Sequence, residues 1–261
     1  MHDFFGRHGG RIFILKRKYI AAAATVLAVI CIFNAVNSTA IVGAAAATRL
    51  LPIYCVKRDN KAVSLTFDAA WGNEDTQKLI DILGRYSVKA TFFVVGEWVD
   101  KYPESVKALS DAGHEVMNHS DDHAHFAQLT AGQIISNVSA CSEKIASVTG
   151  VKPTLFRPPY GEYDDNVIGT LTAMGMTAIQ WDVDSLDWKE ISAAEIYKRV
   201  TKNVGPGSIV LFHNAALHTP EALPDVISFL LQNGYDIVPV SELLLTGEFT
   251  IDHTGRQIPV S

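Results

Sequence analysis

The sequence predicts an α/β domain of parallel strands and alternating helices, closed or nearly closed into a barrel. Two observations predict it. Between residues 61 and 240, short apolar or β-branched runs alternate with stretches of helical period of about ten residues, a pattern that calls for parallel pairing and right-handed crossovers. Residues suited to catalysis also follow five different runs, and a ring of strands brings such ends to one rim more readily than a flat sheet does.

The elements follow in order. Residues 61–67 alternate into an apolar strand, and 74–86 place Leu79, Ile82 and Leu83 at helical spacing. Residues 88–95 are β-branched and aromatic, hence a strand. Residues 105–111 continue a helix that Ala112-Gly113 ends, and 115–118 form a short strand. Thr130 caps a helix reaching about Val148, with Gly150 beyond it. A brief strand at 154–156 stops at the prolines. Then come a helix at 164–174, a strand at 177–183, a helix at 192–203, a strand at 208–212, a helix at 220–232 and a strand at 235–240. The total is roughly seven β/α units.

Charge divides the chain. Residues 1–18 carry a net +4, which leaves −10 for the remainder of a chain whose total is −6. An acidic body argues against nucleic acid as a partner. Residues 19–48 contain no charge and follow Lys16-Arg17-Lys18. That arrangement predicts a membrane anchor with a basic cytoplasmic segment and an outward-facing domain. A secretory signal cleaved near Ala44–Ala47 is the alternative. Residues 49–60 then read as a linker, 61–245 as the domain and 246–261 as a tail. Cys55 and Cys141 read as unpaired buried thiols, with a disulfide as the other option.

Five stretches carry chemistry: Thr66-Phe67-Asp68, His119 to His123, Arg157-Pro158-Pro159-Tyr160, Asp184 to Trp188, and Leu211-Phe212-His213. His119 and His123 can face one metal ion if the segment enters a helical turn. Asp68 ends an apolar strand and suits a general base, or else a helix cap. Two prolines stiffen the backbone after Arg157, whose guanidinium fits a carboxylate bidentately. The N–H groups of Tyr160 and Gly161 are candidate oxyanion donors. His213 suits a general acid whose pKa a carboxylate would raise, with Asp187 as partner and Asp184 in reserve. A histidine packed and hydrogen-bonded in the core is the plainer reading of that position. Trp71, Tyr160 and Trp188 offer apolar faces to a sugar ring.

Together the five stretches resemble the polysaccharide deacetylases of the NodB-homology type, carbohydrate esterase family four. The resemblance implies a distorted (β/α)7 barrel, a divalent metal such as zinc or cobalt, and removal of N-acetyl groups from the amino sugars of a cell-wall glycan. It implies Asp68 as base, His119 and His123 as metal ligands, Arg157 as the residue orienting the base, Asp187 as the group tuning the acid His213, and Leu211 in the acetyl pocket. The apolar N-terminal segment and the run from Thr66 to Asn73 look most like a sporulation-associated branch of Gram-positive bacteria. One position departs: where the family has a second Asp as third metal ligand, this chain has Ala69. Asp121, Asp122 or Asp68 itself are the candidate replacements. Two further expectations follow: a glycan-binding protein without turnover, and an esterase for O-acetyl groups on the same scaffold.

Overall fold

The computed structural model describes residues 21, 22, 24–28 and 49–260. The chain divides into Met1–Thr48 and Arg49–Ser261. In the first unit the described residues are helical. The expected anchor or signal lies largely outside the described residues, and no helix among those described is long and apolar enough to cross a membrane.

The second unit opens with β1 (Cys55–Val56), β2 (Ala62–Ala69), α1 (Thr76–Arg85), β3 (Thr91–Val94), α2 (Gly96–Lys101), α3 (Pro103–Asp111) and β4 (Glu115–Asn118). It continues with α4 (Ala131–Thr149), β5 (Leu155–Phe156), α5 (Asp165–Ala173), β6 (Thr177–Ala178), β7 (Val183–Asp184), α6 (Ala193–Asn203) and β8 (Ile209–His213). It ends with α7 (Thr219–Gln232), β9 (Asp236–Ile237), α8 (Val240–Leu243), β10 (Phe249–Ile251) and β11 (Arg256–Pro259). Local chemistry fixes several boundaries. Thr130 with Gln133 and Ser192 with Glu195 form capping boxes that start α4 and α6. Asp164 accepts from the Val167 N–H to start α5, and left-handed Gly150 (φ 74°) ends α4.

The main sheet is parallel, in the order β6-β5-β4-β3-β2-β8-β7, with β9 beside the start of β2. Its two outer strands, β6 and β7, do not pair with each other, so the sheet curls into a half-barrel, more open than the closed or nearly closed barrel of about seven units that the sequence predicts. The physical reason lies in residues 177–183, expected as one strand. Gln180 spends its carbonyl on the Arg157 guanidinium and its side chain on the Gly161 carbonyl, and the chain breaks into β6 and β7. The segment around β1 lies at this gap. Ile53 bridges to Ile179 on one side, and the Val56 N–H reaches the Gly207 carbonyl on the other. Residues 246–261, expected as a tail, instead supply β10 and β11, and β11 pairs with β1. Cys55 and Cys141 are free and buried.

Alternation along β2 sets the chemistry of the two faces. Val63, Leu65, Phe67 and Ala69 join the apolar layer under the helices, where Phe67 stacks on Phe92 and Phe212. Ala62, Ser64, Thr66 and Asp68 occupy the alternate positions. Ala62 belongs to a second apolar cluster, floored by Val240 and Leu243 of α8. The hydroxyls above it are paired, Ser64 with the Val238 carbonyl and Thr66 with the Val210 carbonyl, both at 2.7 Å. This face therefore turns from apolar to polar on the way to the C-terminal strand ends.

Candidate active site

Parallel register places Asp68 of β2 directly beside His213 of β8. Neighbouring strands lie about 4.8 Å apart, so an acid and a histidine face one space from adjacent positions. Asp68 is 5% exposed. Its Oδ1 accepts from Arg157 Nη1 at 2.7 Å, and its Oδ2 lies 3.5 Å from His119 Nε2. Burial alone would raise the Asp68 pKa. The charges of Arg157, His119 and His213 and the Arg157 hydrogen bond outweigh it and hold the carboxyl below its ordinary range.

Arg157 is wholly buried. It does not grip Asp68 bidentately as expected. Nη1 is shared between Asp68 and Thr66 Oγ1 (2.9 Å), while Nη2 donates to the Gln180 carbonyl (3.1 Å). Its guanidinium lies 4.2 Å from the Phe93 ring centre and 5.5 Å from that of Trp181. Arg157 therefore acts as a fixed strut, with Thr66 as a second partner that sequence reasoning passed over.

His119 and His123 meet, with ring centres 5.1 Å apart, but not through a helical turn. Ser120 (φ 75°) and His123 (φ 57°) are left-handed. Side chains hold this bent segment: Asn118 Oδ1 accepts the Ser120 N–H, and Ser120 Oγ accepts the His123 N–H. His119 Nδ1 lies 2.7 Å from the Arg157 carbonyl. A carbonyl can only accept, so Nδ1 carries the proton and Nε2 keeps its lone pair toward Asp68. Burial lowers the pKa of both rings, that of His123 to about 4, so both are neutral at pH 7.

Opposite stands the second pair. His213 Nδ1 lies 2.8 Å from Asp187 Oδ1. Asp187 is fully buried and also accepts from the backbone N–H groups of His213 and Trp188 and from Thr219 Oγ1 at 2.6 Å. Burial opposes protonation of His213, but the bond to Asp187 and the charges of Asp187, Asp68 and Asp184 prevail and raise its pKa. Thr219, at the start of an apolar helix, gave no sequence signal. Asp184 is not the partner of His213; its Oδ1 accepts the Leu186 N–H.

A cavity of about 500 Å³ joins these groups, lined by Asp68, His119, His123, Asp184, Leu211 and His213. Trp71, Tyr160, Trp181 and Trp188 complete its wall. Trp71, Tyr160 and Trp188 are each more than half exposed, at the rim. Arg157 and Asp187 stand behind the wall as partners of Asp68 and His213. The Gly161 N–H is committed to the Pro158 carbonyl at 3.2 Å, which leaves that of Tyr160 as the donor of the pair available to an oxyanion.

The donor set bears on a metal. Two neutral imidazoles suit a divalent ion such as zinc or cobalt, and Asp68, whose Oδ2 lies 3.5 Å from His119 Nε2, stands beside them as the candidate base. Asp121 and Asp122 do not complete the set, because Asp121 pairs with Lys144 at 2.6 Å and Asp122 accepts from Asn137 at 2.7 Å. Ala69 offers no donor. Among the described residues no group of three or more His, Cys, Asp or Glu is arranged to hold an ion. The residues therefore fit a metal held by His119 and His123 more weakly than three protein ligands would hold it.

Residues 56–179 match the family model for polysaccharide deacetylase. Two relatives with stated activities are similar across most of the chain. The peptidoglycan-N-acetylmuramic acid deacetylase PdaA of Bacillus subtilis (strain 168) is 32% identical over 76% of this chain and 77% of its own length. The peptidoglycan-N-acetylglucosamine deacetylase of Bacillus cereus is 34% identical over 72% of this chain and 70% of its own. Longer relatives from the same B. subtilis strain, YlxY and PdaC, are spanned over 60% and 40% of their lengths. The crystal structure of BA3943 from Bacillus anthracis, described as a CE4 family pseudoenzyme, superposes with a TM-score of 0.71 at 36% identity, covering 74% of this chain and 68% of that one. By identity and coverage alike, this chain belongs to the polysaccharide deacetylases of carbohydrate esterase family four.

Proposed function

We propose that the chain is an extracytoplasmic hydrolase that removes N-acetyl groups from amino sugars of peptidoglycan. One observation carries this reading: an ionised carboxylate braced by Arg157 and a histidine braced by Asp187 flank one cavity from adjacent strands. Asp68 takes the proton of a water as its oxygen attacks the acetamide carbonyl. The Tyr160 N–H donates to the developing oxyanion. His213, whose protonated form Asp187 favours, gives its proton to the amine as the C–N bond breaks, and acetate leaves. Leu211 lies against the methyl group, and Trp71 and Trp188 flank the sugar. A divalent ion on His119 and His123 would supply carbonyl polarisation and a more acidic water.

The assay is acetate release from peptidoglycan and from N-acetylglucosamine oligomers, with zinc or cobalt added. Release that disappears in both Asp68→Asn and His213→Ala supports the proposal. No release from any substrate, with the variants equal to wild type, overturns it. Ala69 favours a second reading, a wall-glycan binder without turnover, and BA3943 shows that a relative of this fold is described as a pseudoenzyme. A related BA3943 mutant is described as having restored activity. The binder predicts glycan affinity that survives chelation. Anchoring through residues 19–48 and a role in sporulation complete the proposal; membrane fractionation and the timing of expression test them.

A further inference from the structure

Tyr160 presents its N–H from a backbone that its side chain disfavours. Its φ and ψ are 58° and 6°, and Gly161 follows at φ 68°. A left-handed residue other than glycine costs about 1–2 kcal/mol. At 57% exposed, Tyr160 has no core packing to hold it there. Two histidines from the neighbouring rim loop hold it instead. His125 stacks face to face on the Tyr160 ring, with centres 4.4 Å apart and planes 13° from parallel. His123 meets the same ring edge-on at 4.5 Å.

His125 is itself fixed. Its Nδ1 sits between both carboxylate oxygens of Glu162, at 3.0 and 3.1 Å. The Glu162 N–H returns to the Pro159 carbonyl at 3.1 Å, closing the turn that contains Tyr160. The result is a closed circuit: Tyr160 backbone, Glu162 carboxylate, His125 ring, Tyr160 ring. Beneath it Gly161, at φ 68°, leaves little room for a side chain, since a Cβ there would crowd the Trp181 ring at 3.1 Å. As an ion pair, His125–Glu162 is half-exposed and contributes little to stability. Its effect lies in where it puts the Tyr160 amide.

We propose that His125 and Glu162 are positioning residues that clamp Tyr160 so that its N–H faces the cavity. The proposal rests on the deacetylase reading for the amide's role, and on geometry alone for the clamp. Acetate, the product, serves as probe in backbone NMR of the ¹⁵N-labelled chain. In wild type it shifts the Tyr160 amide resonance. In His125→Ala that resonance moves even before acetate is added, and the response to acetate weakens. His125→Phe, which keeps the stack, and Glu162→Gln, which keeps a hydrogen-bond acceptor, restore most of both. In turnover, His125→Ala lowers kcat by about tenfold or more with little change in KM, the signature of a misplaced transition-state donor. A Tyr160 resonance unchanged in folded His125→Ala overturns the clamp. A wild-type amide that ignores acetate overturns its role as donor. If the clamp signals appear and wild type releases no acetate, the deacetylase reading fails while the clamp stands.

Discussion

Ala69→Asp is the most informative single change. Ala69 is 1% exposed at the end of β2, in the layer under the helices, and its carbonyl accepts the Val95 N–H at 3.0 Å. Register aligns it with Val94 of β3 and, through Val94, with Asn118 of β4, immediately before His119. Two strand spacings, about 10 Å, separate residue 69 from residue 118. An aspartate, a metal ion with bonds of about 2 Å and a histidine can together span such a gap. Two outcomes compete. A carboxylate left in the apolar layer is a buried, unpaired charge and destabilises the fold by several kcal/mol. A carboxylate turned over the strand end becomes a third ligand.

The signature is a stability difference that depends on zinc. Without metal, Ala69→Asp melts below wild type. A third ligand that tightens binding about 100-fold adds about 2.7 kcal/mol of zinc-linked stability at saturation. For a domain of this size that is roughly 5–11 °C in Tm. Thermal unfolding with and without zinc, paired with calorimetry, reads both effects. Zinc must raise the Tm of the variant by more than it raises that of wild type, and adding His119→Ala must remove the excess. An equal zinc shift in both proteins would refute the turn of residue 69 over the strand end, and no zinc shift in either would refute the placement of His119 and His123 around a common ion.

Three further outcomes follow from the partners. Arg157→Ala leaves the Asp68 carboxylate buried without its counter-charge, so denaturant unfolding is expected to show a loss of about 3–5 kcal/mol. Thr219→Val removes a buried bond to the Asp187 carboxylate and is expected to cost about 1.5–3 kcal/mol in the same assay. His213 has a folded pKa raised above its ordinary value, so its stabilisation is complete below that ordinary value and is lost as pH rises through the raised one. Asp187→Asn removes the charge that raises it, and the alkaline limb of kcat/KM, or the imidazole NMR titration, is expected to move to lower pH.

Much of this was legible because each functional side chain follows an apolar run. The strand of Asp68 alternates Ser64, Thr66, Asp68 against Val63, Leu65, Phe67, which gives both the strand and the face that bears chemistry. The same alternation puts Thr66 on that face, yet its bond to Arg157 comes from a strand distant in sequence and left no mark on the pattern. Other features had no local signal. The six-residue α2 is too short for a period to register. The strands β1, β10 and β11 are two to four residues long; β10 and β11 form a short hairpin, and β1 exists through pairing with the distant β11. The split between β6 and β7 depends on where Gln180 finds partners in the folded state. The left-handed conformations of Ser120, His123 and Tyr160 occur at residues other than glycine, where sequence gives least warning.

The two halves of the site respond differently to the missing carboxylate at position 69. Asp187, Thr219 and His213 form a bonded unit on the β7–β8 side, and nothing in it depends on a metal. Asp68 is different. The groups that keep it ionised also make it a weak base. Taking a proton from ordinary water to a carboxylate at its normal pKa is uphill by about 16 kcal/mol, and Arg157 makes the step steeper. An attacking water acidified to a pKa of about 7 would face roughly a third of that or less. On the proposed mechanism, activity has to follow occupancy of the histidine pair, whereas packing of an uncharged sugar against Trp71 and Trp188 would not. For the same reason, glycan affinity without turnover at low zinc, and turnover that rises with zinc at constant affinity, would be two conditions of one site rather than evidence for two functions.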